Sequence, residues 1–148
     1  MKSSFHLKGT FKKLVDNEFE PTSPRTGLYN CLAWAANDMY NWWWPDEDGY
    51  WPEGVNRKHD IQSFIDAYST IGYKVCDNSE LEPGIEKIAV YLNTEGPQHA
   101  ARQLESGFWT SKLGPYEDIT HNYLHGVDCN EYGKAAVFMS KPRTGGGK

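Results

Sequence analysis

Apolar residues recur at helical spacing in the first third of the chain. One face of the predicted helix, at positions i, i+3, i+4 and i+7, is made by Leu32, Ala35, Ala36 and Met39. The pattern predicts a buried helix from about Leu28 to Asn41. Asn30 is a suitable N-cap, and Thr26 would serve if the helix began one turn earlier.

A second helical stripe follows after a loop that is rich in tryptophan. Its apolar positions are Ile61, Phe64, Ile65 and Tyr68. Asn56 is the expected cap of this helix, and Gly72 is expected to end it. His59 falls on the polar side, where a solvated side chain is expected.

The second half of the chain alternates as strands do. Short apolar runs are separated by Pro and Gly turns, and 105–107 reads as a hairpin turn between two of them. The predicted strands are Tyr73–Cys76, Glu86–Leu92, Gln98–Leu104, Phe108–Leu113 and Tyr132–Met139. Helices followed by an antiparallel sheet of about four to six strands predict an α+β fold.

The chain divides into three parts at this level. Residues 1–27 read as an irregular N-terminal arm, 28–141 as one α+β domain and 142–148 as a disordered, glycine-rich tail. A length of 148 residues is enough for one substantial core, and 39% hydrophobic content suits a globular fold.

Charge and cysteine usage exclude several classes of protein. The net charge is −5 and the basic residues are scattered, so neither nucleic acid nor an acidic membrane surface is an expected partner. The N-terminus lacks the apolar core of a signal peptide, and three cysteines at wide spacing suit reduced thiols. We therefore expect a cytoplasmic protein, or one that is exported without a cleavable signal.

Cys31 falls in or near the first turn of the first predicted helix. Unpaired backbone N–H groups and the positive end of the helix dipole stabilise a thiolate there, and a thiolate attacks carbonyl carbon. The alternative is a small buried side chain with no chemical role.

A nucleophilic cysteine needs a base nearby. His99 stands at the head of a predicted strand, directly after a Gly-Pro turn, where it can face a helix N-terminus lying across the sheet. His6 and His59 lie in the arm and on a polar helix face, so His99 is the best candidate partner for Cys31.

The order of these elements resembles the papain-like fold. A cysteine opens the first core helix and a histidine opens a sheet strand, as in the small bacterial NlpC/P60 and CHAP amidase-peptidases. The chain from about 28 to 140 also resembles an uncharacterised bacterial domain family with this layout. The segments that carry the resemblance are Asn30–Ala35, Trp42–Pro45, His99–Arg102, Trp109–Gly114 and Tyr132–Gly133.

The resemblance implies a cysteine hydrolase that cleaves or transfers at an amide bond. The substrate would be a peptide, a protein, peptidoglycan or a side-chain amide, and deamidation would use the same acyl-enzyme. Cys31 would be the nucleophile and His99 the general base, with backbone N–H groups at the helix start meeting the oxyanion. Such a mechanism requires no cofactor, and small domains of this type often act as effectors.

The residue that would orient His99 is ambiguous. A three-residue hairpin turn puts Ser111 on the face of His99, whereas a two-residue turn puts Lys112 there. Asp118 and His121 follow this strand closely. We expect Asp118 to take the role, because an anion best stabilises the imidazolium formed during attack.

Two further interpretations concern the aromatic loop and a metal site. The rings of 42–51 either cap the core or line a substrate cleft, in which case the binding residues would be Trp34, Trp43, Trp44, Ser111 and Lys112. Without a reactive thiol, the same loop would serve a non-catalytic binding module. The rival site is metallic: His121, His125 and Cys129 have helical i, i+4 spacing, and His99 or Asp118 would complete four ligands.

Overall fold

The computed structural model describes residues 19–23, 30–38, 41–46, 49–112, 118–121, 124 and 132–143. Within these ranges the chain forms two α-helices and seven β-strands. The helices are α1 (Cys31–Ala35) and α2 (Ile61–Ser69). The strands are β1 (Phe19–Ser23), β2 (Lys74–Cys76), β3 (Ile85–Asn93), β4 (Gly96–Gln103), β5 (Trp109–Lys112), β6 (Asp118–His121) and β7 (Lys134–Pro142).

All seven strands belong to one sheet with the order β1-β6-β5-β4-β3-β7-β2. Every described strand pair is antiparallel, which confirms the α+β class. The prediction omitted β1 and β6, which pair with each other at one side of the sheet. The region predicted as an irregular arm therefore contributes a strand at Phe19–Ser23, where Pro21 and polar neighbours hide the strand pattern.

The two faces of the sheet carry separate apolar clusters. The face under the helices contains buried residues that include Ile88, Val90, Ala100 and Met139, together with Leu32, Phe64 and Tyr68 from the helices. The opposite face contains Ala89, Tyr91, Ala101, Trp109 and Ile119. Successive strand residues point to opposite faces, so neighbours along one strand belong to different clusters.

Helix α1 is much shorter than predicted. Asn30 is its N-cap, as expected, and accepts a hydrogen bond from the backbone N–H of Ala33 at 3.1 Å. The helix ends because Asn37 adopts a left-handed φ of 64°, and the N–H of Asp38 then donates to Ala33 O at 2.8 Å. The alternative cap Thr26 lies outside the described residues.

Helix α2 has the predicted apolar stripe but a different cap. Phe64 and Tyr68 are buried, and Ile61 and Ile65 are partly buried against the same cluster. Asp60, rather than Asn56, is the N-cap and accepts from the N–H of Ser63 at 2.9 Å. The aspartate lies next to the first apolar position, which makes the helix four residues shorter at its start than predicted.

The β4–β5 hairpin confirms the three-residue turn. The N–H of Leu104 donates to Phe108 O at 2.8 Å, and Arg102 lies opposite Thr110. This register places Ser111 on the face of His99 and Lys112 on the face under α1. The two-residue alternative is therefore wrong.

Candidate functional site

Cys31 is the first residue of α1, where the sequence predicts a nucleophile. The side chain of Asn30 holds this helix start against the aromatic loop. Its Oδ1 accepts from the N–H groups of Ala33 and Trp43 at 3.1 and 3.0 Å, and its Nδ2 donates to Trp43 O at 2.5 Å. The backbone around Cys31 is thus fixed by one buried asparagine.

The thiol of Cys31 is buried, with 6% of the residue exposed. Its Sγ donates to the carbonyl oxygen of Gln98 on β4 at 3.8 Å. Burial raises the pKa of the thiol to about 12, although the backbone N–H groups of Ala100, Leu32 and Cys31 and the charge of Lys112 lower it. The groups that stabilise a thiolate are present, but desolvation outweighs them, so the thiol is protonated at neutral pH.

His99 lies on the other face of β4. Ala100 belongs to the cluster under the helices together with Cys31, whereas the adjacent His99 contacts Tyr91 and Tyr132 on the opposite face. The structure therefore does not bring the Cys31 thiol and the His99 imidazole together, because strand alternation separates them. Their catalytic roles stay predictions.

The His99 imidazole belongs instead to a buried polar chain across three strands. Its Nε2 lies 3.1 Å from Ser111 Oγ, and that oxygen lies 2.8 Å from His121 Nε2. Because a hydroxyl carries one proton, Ser111 donates to at most one imidazole and accepts from at least one of them. All three side chains are at most 1% exposed, so these hydrogen bonds satisfy groups that water does not reach.

Two aromatic rings enclose His99. Tyr132 stacks on the imidazole with ring centroids 4.1 Å apart, and Tyr91 meets it edge-on at 5.0 Å. Burial lowers the pKa of His99 well below its usual value, and the nearby His121 lowers it further. The imidazole is therefore neutral near pH 7, and its buried Nδ1 has no hydrogen-bond partner among the residues that the structure describes.

The candidates for the third catalytic residue are distributed over both faces. Ser111 and His121 belong to the hydrogen-bonded set that includes His99, whereas Lys112 is buried on the face of Cys31. Asp118 begins β6 with its Cα opposite that of Lys112. The described part of Asp118 is its backbone, so its predicted role as the orienting anion stays a prediction.

The predicted substrate-binding tryptophans are mainly packing residues. Trp43 is 4% exposed and stacks on Tyr68 at 5.6 Å, and Trp44 packs edge-on against Phe64 at 6.1 Å. Trp34 is partly buried and donates from Nε1 to Thr110 Oγ1 at 2.8 Å. The interpretation of the loop as a cap on the core accounts for these contacts.

Two other aromatic residues of the same loop face solvent. Trp42 is 41% exposed and Tyr50 is 44% exposed. The N–H of Tyr50 donates to Trp42 O at 2.8 Å, and the N–H of Trp44 donates to Tyr50 O at 3.0 Å. Arg57 also donates to the carbonyl of Gly49 at 3.3 Å. The loop is thus held at both ends while it presents two large rings.

The predicted metal site required His121 to lie in a helix, and this prediction is wrong. His121 lies in strand β6, so the i, i+4 argument for a shared helical face does not apply to it. His125 and Cys129 lie outside the described residues. Within the described ranges, no group of three or more His, Cys, Asp or Glu side chains is arranged to hold a metal ion.

Sequence reasoning missed the contact between Ser111 and His121. The signal for it is the spacing of two pairs, Trp109 with Ser111 and Ile119 with His121. In each pair a polar residue follows an apolar residue by two positions. This spacing puts all four on one face when both segments are strands, but β6 is only four residues long. So short a segment gives a weak periodic signal.

Comparison with known proteins places the chain in a family. The model of the domain of unknown function DUF7689 matches residues 20–140, and the chain belongs to this family. No curated protein and no solved structure matches the chain. Within the described residues, no helix is both long enough and apolar enough to cross a membrane.

Proposed function

We propose that this domain is a binding module that holds a peptide segment of a partner protein against Trp42 and Tyr50. The observation that carries the proposal is the exposure of these two rings, 41% and 44%, on a loop where Trp43 and Trp51 are buried and Trp44 is partly buried. Tryptophan and tyrosine dominate the binding energy of protein interfaces, since each offers a large apolar surface with little conformational freedom to lose.

The packing of the loop adds to this argument. Trp43 and Trp51, which directly follow Trp42 and Tyr50 in the sequence, are each 4% exposed and belong to the core cluster. Asn30 binds the backbone of Trp43 through both its N–H and its carbonyl. A loop held in this way loses little entropy when a partner binds, so more of the contact energy becomes affinity.

The state of Cys31 also favours a module without chemistry. Its thiol is protonated at neutral pH and donates to a main-chain carbonyl, as a structural thiol does. His99 lies on the opposite face of β4, where its Nε2 is hydrogen-bonded to Ser111 Oγ.

Selection from a phage-displayed random peptide library tests the binding proposal. We expect enriched peptides to bind the wild-type domain and to bind Trp42→Ala and Tyr50→Ala at least about tenfold more weakly. Phe108→Ala is the matched control, because Phe108 is 46% exposed at a different place on the surface. Failure to enrich any peptide, or equal binding by Trp42→Ala, would overturn the proposal.

A second candidate is the cysteine hydrolase implied by the family resemblance. The backbone N–H groups of Ala100, Leu32 and Cys31 and the charge of Lys112 all favour negative charge at the sulfur. The same donors would stabilise the oxyanion of an acyl-transfer reaction on a peptide or side-chain amide. In this candidate the Cys31 sulfur attacks the amide carbonyl carbon, the C–N bond breaks, the amine leaves with the thiol proton, and water then releases the acid from Cys31. The charge of Lys112 favours the negative sulfur that attacks.

Alkylation with iodoacetamide separates the two candidates. If the domain is a binding module, iodoacetamide is expected to alkylate the partly exposed Cys76 before the buried Cys31, and peptide mapping assigns the sites. If it is a hydrolase, iodoacetamide is expected to alkylate Cys31 first, and the protein is expected to form a mass adduct with an electrophilic acyl probe. Cys31→Ala should abolish that adduct and Cys76→Ser should retain it.

A further inference from the structure

A separate cavity lies at the far end of β4 from the contact with Cys31. It has a volume of about 450 Å³, within the range of pockets that hold small ligands. The loop before β3, the β4–β5 turn and the residue after β7 together form its wall. The lining residues are Leu81, Glu82, Pro83, Gly84, Glu105 and Arg143.

Arg143 supplies the positive charge of this cavity. Its backbone N–H donates to Gly84 O at 2.8 Å, which fixes the residue beside the loop. The guanidinium reaches the carbonyls of Ile85 and Gln103 at 3.4 Å each, and its Nε lies 4.0 Å from Glu105 Oε2. These distances exceed the ~2.9 Å of a well-formed N–H···O bond, so the five donors of the guanidinium are incompletely used.

The two carboxylates of the lining differ in their availability. Glu82 lies 2.7 Å from the Nζ of Lys87, an almost fully buried lysine, which offsets its charge. Glu105 has an 80% exposed side chain, and its one ion pair within the described ranges is the long contact to Arg143. A ligand carboxylate can therefore replace Glu105 beside Arg143 while Glu105 turns to solvent.

An apolar wall completes the arrangement. Leu81 is 48% exposed, and Pro83 lies beside it in the same lining. Covering such a surface with an aliphatic group is favourable by about 25 cal/mol per Å². A planar carboxylate matches the forked geometry of the guanidinium.

We infer that this cavity binds a carboxylate attached to a compact aliphatic group, with the carboxylate on Arg143 and the aliphatic group on Leu81. Both a free small acid and the C-terminus of a peptide ending in leucine have this chemistry. The site shares no residue with the proposed peptide surface at Trp42 and Tyr50, so the inference stands independently of the proposed function.

Titration of the isotope-labelled full chain with N-acetyl-L-leucine, followed by amide NMR, tests the inference. Saturable shifts are expected at the amides of 81, 82, 84, 105 and 143. N-acetyl-L-leucinamide, which lacks the charge, is expected to bind at least about tenfold more weakly. Comparison with a tripeptide that ends in leucine identifies the source: tighter binding of the tripeptide indicates a peptide C-terminus, and equal binding indicates a small acid.

Two arginine variants and one glutamate variant complete the test. Arg143→Gln is expected to abolish the saturable shifts, and Arg143→Lys is expected to weaken binding because the fork is lost. Glu105→Gln is expected to bind at least as tightly as the wild type, because the competing carboxylate is gone. The amide spectrum reports whether each variant is folded. Equal binding of acid and amide, or unchanged binding by folded Arg143→Lys and Arg143→Gln, would overturn the inference.

Discussion

The Cys31 thiol is subject to two opposing electrostatic effects. Neighbouring N–H groups and Lys112 favour the thiolate, and burial disfavours it more strongly. A position at the start of a helix is therefore insufficient to activate a cysteine when the sulfur is shielded from water. Its surroundings on the sheet decide its protonation state.

The buried imidazole of His99 makes stability dependent on pH. Its pKa is lowered in the folded protein, so its contribution is present above the unfolded pKa of about 6.5 and is lost as the pH falls toward the folded value. Urea unfolding at several pH values below about 6.5 should show a falling free energy of unfolding, by up to about 1.4 kcal/mol per pH unit.

His99→Gln should reduce this slope relative to the wild type in the same urea titrations. Identical slopes for wild type and His99→Gln would contradict the assignment of the acid sensitivity to His99.

Ser111 is the residue whose loss affects both imidazoles. Ser111→Ala removes both hydrogen bonds and leaves polar groups of His99 and His121 buried without this partner. We expect a loss of about 1–3 kcal/mol in the free energy of unfolding, measured by urea denaturation. Ser69→Ala, which removes an exposed hydroxyl bonded within its own helix, should change it by less than about 0.5 kcal/mol. Equal losses of unfolding free energy for Ser111→Ala and Ser69→Ala would show that the hydrogen bonds among His99, Ser111 and His121 add no stability.

At the level of elements, α1 depends on its cap more than α2 does. A five-residue helix has little stability of its own. Asn30 makes three hydrogen bonds, one to Ala33 of its own helix and two to the backbone of Trp43 in the aromatic loop. Asp60, an exposed residue, caps α2 by accepting from the backbone N–H of Ser63.

The two caps offer a matched comparison. Asp60→Ala should cost about 1 kcal/mol of unfolding free energy, as an ordinary N-cap does. Asn30→Ala should cost more, about 2–4 kcal/mol, because buried groups of Trp43 also lose their partner. Thermal and urea denaturation of both variants provide the measurement. A smaller loss for Asn30→Ala than for Asp60→Ala would refute the special role of Asn30.

Periodic segments were predictable from sequence, whereas short segments were not. The stripe of α2 and the alternation of β3 each span nine residues, enough for the spacing to be recognised. β1 and β6 are short and polar, and the end of α1 depends on the left-handed backbone of Asn37. The candidate site followed this division: one of the two hairpin turns considered placed Ser111 on the face of His99, as the structure has it, but the contact with His121 required β6.

For the whole molecule, one sheet supports two cores of different composition. The core under the helices contains large aromatic side chains, and the opposite core surrounds the polar chain of His99. The face of a residue therefore determines its chemical environment as much as its sequence neighbours do. Cys31 and His99 lie in different environments because they are on opposite faces of the sheet.

Phe64 tests the weight of the helix-side core. It is fully buried, and Trp51 and Trp44 both contact its ring. Phe64→Ala should lower the free energy of unfolding by about 3–5 kcal/mol, because it leaves a cavity among large rings. The exposed control Phe108→Ala should change it by less than about 0.5 kcal/mol. Calorimetry of the two variants checks the difference, and similar melting temperatures would contradict the described packing.

The border of the sheet formed by β2 has a consequence for self-association. This strand is three residues long, and both Lys74 and Val75 are exposed. A foreign strand that docked there would gain few main-chain bonds and would have to strip water from an ammonium group. Charge and brevity together thus discourage this protein from polymerising along that border in a crowded solution.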